Sequence, residues 1–85
     1  MTTPLTRAEA RNAIRAALAG FAGEAELERL SPTENLRETL ELDSMDFLTF
    51  VERLSERRGR RIEESDYDRL ATLDSAADFL SGVHR

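Results

Sequence analysis

The chain has no cysteine, no tryptophan, a single histidine, two prolines and four glycines among its 85 residues. Without cysteine, disulfide staples and thiolate metal sites are excluded, so packing alone must hold the fold. The one histidine, His84, stands next to the last residue. A chain end seldom holds an imidazole against a catalytic hydroxyl, which argues against a serine hydrolase and for a protein that is not an enzyme. No uncharged apolar run approaches the length of a membrane span, and the N-terminus lacks the apolar segment of a signal peptide. No membrane association and a cytoplasmic location are the expectations. Internal repeats, low-complexity segments and strand-like alternation are also missing.

What is present fits one small domain over residues 1–85, with about 6–81 as its ordered core. A chain of this size buries only about 60% of its unfolded surface and is stable by a few kcal/mol. With 40% hydrophobic and 34% charged residues it is a folded chain with a thin core. Seventeen acidic against twelve basic residues give a formal charge of −5, which argues against nucleic-acid binding and for basic partners. The block Arg57-Arg58-Gly59-Arg60-Arg61 runs against that balance. It reads as cations at the negative end of a helix, with Gly59 as the left-handed residue that closes it.

Periodicity predicts an all-α bundle of three main helices, a short helix before the last and one long loop after the first. Thr6 and Glu9 form a capping-box pair ahead of Ile14, Ala17, Leu18 and Phe21, predicting a first helix over about 7–19. Arg7, Arg11 and Arg15 read as its solvated face. From Phe21 to Leu42 the leucines follow no single period; they can pin a long loop to the helices, with a helical turn or two over Glu24 to Leu30. Ile62 is an isolated apolar anchor. A turn is expected over 65–70, with Tyr67 and Leu70 facing inward, and a last helix capped by Thr72 or Asp74 carries Leu73, Ala76, Ala77, Phe79 and Leu80.

The most informative stretch is Leu40-Glu41-Leu42-Asp43-Ser44-Met45-Asp46. Phe47, Leu48, Phe50, Val51 and Leu54 follow at i, i+1, i+3, i+4 and i+7, one apolar stripe on a helix over about 44–58. A serine therefore stands at a helix entrance. With Asp43 as the cap, its carboxylate takes a first-turn amide and leaves the Ser44 hydroxyl pointing outward, beside unpaired amides that favour a phosphate. Asp43 and Asp46 oppose such an anion and suit a cationic partner. Glu41, Asp43 and Asp46 lack the alternating ligand loop of a calcium site, so no metal is expected.

Asp43-Ser44-Met45, with the leucines before it and the helix behind it, resembles the Asp-Ser-Leu attachment motif of acyl carrier proteins. The resemblance runs from about Leu30 to Leu80, with Ile62, Leu70, Thr72, Leu73, Ala76, Ala77 and Phe79 at the family's later core positions. It implies a small acyl-carrier-like helical bundle in which Ser44 carries 4′-phosphopantetheine, derived from coenzyme A, as a phosphodiester, with cargo held as a thioester on the terminal thiol. It implies a phosphopantetheinyl transferase, and loading or synthase enzymes with basic docking patches, as partners. Asp43, Met45, Asp46, Glu52, Glu56 and Ile62 are the candidate recognition residues, with Ile62 equally suited to the core. A free-standing monomer serving fatty-acid, polyketide or other specialised biosynthesis is the expectation, and an unmodified helical adaptor is the alternative. Several positions depart from the family. Glu41 stands where glycine is common and Met45 where leucine is usual; Arg53, Arg57 and Arg58 bring positive charge to a helix that is often acidic. Phe47 and Phe50 are bulky enough to fill space that could shelter an acyl chain, which favours short, polar or aminoacyl cargo.

Overall fold

The computed structural model describes residues 5–82, so the expectations for Met1 to Pro4 and for His84 lie outside it. Helix α1 spans Arg7–Ala17 behind the expected capping box: the Glu9 amide donates to the Thr6 hydroxyl at 3.1 Å and the Thr6 amide to the Glu9 carboxylate at 2.9 Å. The helix stops two residues short of Ala19. Its end tightens, with the Ala19 amide reaching only back to the Ala16 carbonyl, and Gly20 turns the chain at φ 94°.

The long connection holds two short helices, α2 (Glu24–Glu28) and α3 (Leu36–Thr39). The first was expected. The second was not, although Asn35 caps it by accepting from the Glu38 amide at 3.0 Å. Leu27, Leu30, Leu36, Leu40 and Leu42 are all buried and pin the connection to the bundle. Two backbone bonds stitch it to the entrance of the last helix, Leu36 amide to Ala71 carbonyl at 2.8 Å and Asp74 amide to Pro32 carbonyl at 3.0 Å.

Helix α3 closes with Leu42 donating to the Arg37 carbonyl at 2.9 Å and Glu41 at φ 55°, a glutamate in the left-handed position where helix ends favour glycine. The departure noted in the sequence thus has a backbone cost. Glu41→Gly is expected to raise the urea midpoint and Glu41→Val to lower it, the two variants separated by about 1–2 kcal/mol.

Helix α4 spans Ser44–Arg58 and ends at Gly59, φ 79°, with the Arg60 amide returning to the Ser55 carbonyl. A 3-10 helix over Glu64–Leu70 follows, and α5 (Leu73–Leu80) is capped by Thr72, whose hydroxyl accepts from the Ser75 amide at 3.0 Å. Among the described residues there are no strands, and the core is built from α1, α4, α5 and the loop leucines around fully buried Ile14, Leu18, Leu36, Phe50, Leu54 and Leu70.

Arg7, Arg11 and Arg15 are not a solvated face. All three are half-buried. Arg7 pairs with both Asp74 and Asp78, and Arg11 lies 3.9 Å from Asp74, because α5 packs alongside α1 and brings its two aspartates to that side.

Candidate functional site

The site forms where α3 hands over to α4. Asp43 is the cap, its carboxylate accepting from the Asp46 amide at 2.8 Å, while its carbonyl accepts from the Phe47 amide at 2.9 Å. The capping task therefore does not fall to Ser44. Its side chain is exposed, and its hydroxyl has no hydrogen-bond partner among the described residues. The first-turn amides of α4 point toward the same end and favour negative charge there.

An open pocket of about 390 Å³ lies beside Ser44, with Phe47, Leu48 and Tyr67 as its apolar wall and Arg37 and Asp68 as its charged residues. Phe47 meets Tyr67 edge-to-face at 5.6 Å between ring centroids and Phe50 at 6.0 Å. Phe47 is nearly buried and Phe50 wholly so; the two rings occupy the interior under the α4 entrance.

Asp43, Met45, Glu52 and Glu56 are exposed along α4 and Asp46 is half-buried. Ile62 belongs to the core at 2% exposure, held by its amide bonding the Ser55 hydroxyl at 3.1 Å, and offers no surface to a partner. Leu48, assigned to the apolar stripe, is 46% exposed, and Met45 is 75% exposed. The buried stripe runs through Phe47, Phe50, Val51 and Leu54; Leu48 sits about 100° around the helix from Phe47 and falls outside it.

Two arginines of α4, Arg53 and Arg58, have partners within the fold. Arg53 reaches the end of α1, donating to the carbonyls of Ala17 at 3.0 Å and Ala19 at 2.9 Å while lying 5.2 Å over the Phe21 ring. Arg58 stacks 4.4 Å over Phe79. Burial there lowers its pKa, Arg60 adds to the effect, and Asp66 opposes it.

Among the described residues no helix is long and apolar enough to cross a membrane. The sequence matches the family described as Phosphopantetheine attachment site over residues 12–80, from within α1 to the last residue of α5. Proteins of this family hold 4′-phosphopantetheine covalently and act as carriers that meet phosphopantetheinyl transferases and synthases. No curated protein matches the chain.

Proposed function

The chain belongs to the phosphopantetheine-attachment family, and on that premise we propose that it is a free-standing acyl carrier protein, not itself an enzyme, modified on Ser44. The observation that carries the assignment is the division of labour at the start of α4. Asp43 makes the capping bond, which leaves the Ser44 oxygen exposed and unpaired at the positive end of a fifteen-residue helix. The pocket fits the group, since Ser44 shares it with a cation and an apolar wall. When bound, the group supplies a thiol that holds cargo as a thioester. The chain's own residues tether that arm, present it and dock: once docked, a tethered cargo is delivered at high effective concentration without tight binding.

Exposed Met45 and Leu48 beside Asp43, Glu52 and Glu56 suit enzymes that offer an apolar pocket within a basic patch. Such steering acts on encounter rate and weakens with salt. The carrier unit is about residues 6–81 of the chain, acting as a cytoplasmic monomer. The test is intact mass before and after incubation with coenzyme A, magnesium and a promiscuous phosphopantetheinyl transferase. One phosphopantetheine addition is expected; a folded protein unchanged by several transferases would instead be an unmodified adaptor.

Phe47 and Phe50 occupy the interior next to the attachment point, which leaves short, polar or aminoacyl cargo as the better fit. A long-chain thioester is therefore expected to leave the thermal midpoint of the loaded protein close to that of the unloaded holo form. A rise of many degrees would show that the interior admits the chain.

A further inference from the structure

Attachment at Ser44 brings an anion next to Asp43 and Asp46, and Arg37 is the one cation among the described residues that line the same pocket. We propose that Arg37 is the positioning residue for the phosphodiester on Ser44, an inference that rests on the attachment reading above. Arg37 and Ser44 line the same pocket, and the Arg37 guanidinium lies 5.2 Å over the Phe47 ring. It stands in a strongly acidic stretch, with Glu34, Glu38, Glu41 and Asp43 near it in sequence and Asp68 on the pocket wall. Yet it forms no ion pair: those found among the described residues join α1 to α5.

A guanidinium that stacks on a ring instead of pairing with a carboxylate keeps its N–H donors for an incoming acceptor. Its planar fork matches phosphate oxygens two at a time, and the ring beneath restricts its motion, so less rotamer entropy is lost on binding. Phe47 is itself fixed by its edge contact with Tyr67 and its packing on Phe50. The support thus extends from the core to the cation. Arg37 also offsets the two carboxylates flanking Ser44, which without it would push the phosphodiester away from the pocket wall.

The experiment compares apo and holo protein, with conversion verified by intact mass, for wild type, Arg37→Gln and Arg37→Lys. In wild type the Arg37 Nε–H resonance of 15N-labelled protein is expected to shift on conversion. The holo-minus-apo difference in thermal midpoint is expected to be several degrees less favourable in Arg37→Gln than in wild type, with Arg37→Lys between, and the gap should close in high salt. A purely structural role on Phe47 would lower both forms equally, so an unchanged difference with an unmoved Nε–H resonance overturns the proposal. Loading acetyl and malonyl thioesters separates the two sources of negative charge. An Arg37 signature seen only with malonyl would mean that the cation reads a cargo carboxylate, which overturns the assignment to the phosphodiester. A mass that never changes removes the attachment reading itself, before Arg37 is measured.

Discussion

Ser44→Ala is expected to abolish phosphopantetheinylation completely while leaving the protein folded. The two halves of that outcome come from different atoms. The phosphodiester needs the Ser44 oxygen, and no neighbouring side chain supplies a hydroxyl at the same first turn of α4. The fold does not need it: the capping bond belongs to Asp43, and the Ser44 side chain is exposed with no hydrogen bond among the described residues. Alanine is moreover the better helix former, so the change in stability should stay within about 0.5 kcal/mol. Intact mass before and after the transferase reaction, paired with thermal melts of both proteins, checks the two halves separately. A folded Ser44→Ala protein that still gained one phosphopantetheine would place the attachment elsewhere and end the Ser44 assignment.

Phe50→Ala is expected to remove most of the stability of the domain. Phe50 is fully buried at the centre of α4 and lies against Phe47, which in turn supports Tyr67. Deleting a buried phenyl ring typically costs about 3–5 kcal/mol, the transfer term plus the cavity left behind. A domain this small is stable by only a few kcal/mol, so a loss of that size is most of what it has. With a urea dependence near 1 kcal/mol per molar for a small protein, the midpoint should fall by about 3–5 M or the chain should unfold without denaturant. Phe50→Leu, which retains much of the volume, should cost far less. Equally small losses for the two substitutions would mean that the site collapses around either side chain and that Phe50 does not anchor the interior beneath Ser44.

Both predictions concern α4, where the sequence was most legible. Its bounds, its Asp43 cap and its closure at Gly59 are as the spacing implied, since each depends on groups within a few residues of one another. The same holds for the Thr6–Glu9 capping box, and of the two caps left open for the last helix, Thr72 and Asp74, Thr72 takes the role. Helix α3 was illegible for the opposite reason. Four residues do not sustain a helix in water, and this one depends on the burial of Leu36 and on a backbone bond from Leu36 to Ala71, far along the chain. Ser44 was legible as the candidate because a helix entrance and a motif coincide there; Arg37, Leu48 and Tyr67 join its surroundings only after the loop and the 3-10 helix fold over it.

The sequence by itself determined a small helical domain, the main helix behind Ser44, and the family to which the chain belongs. The helices follow because amphipathic period, capping residues and left-handed glycines act over one or two turns; the family follows from the likeness around Asp43-Ser44-Met45 and the match over residues 12–80. Only the tertiary structure decided which charges are spent inside the fold. Arg7 and Arg11 are matched to α5, Arg53 to the carbonyls of Ala17 and Ala19, and Arg58 to Phe79. It likewise decided between core and surface for Ile62 in favour of the core, put Leu48 on the surface and brought Arg37 to the pocket that Ser44 lines. Those choices depend on which helix face meets which neighbour, and residues tens of positions apart leave no local spacing from which that can be read.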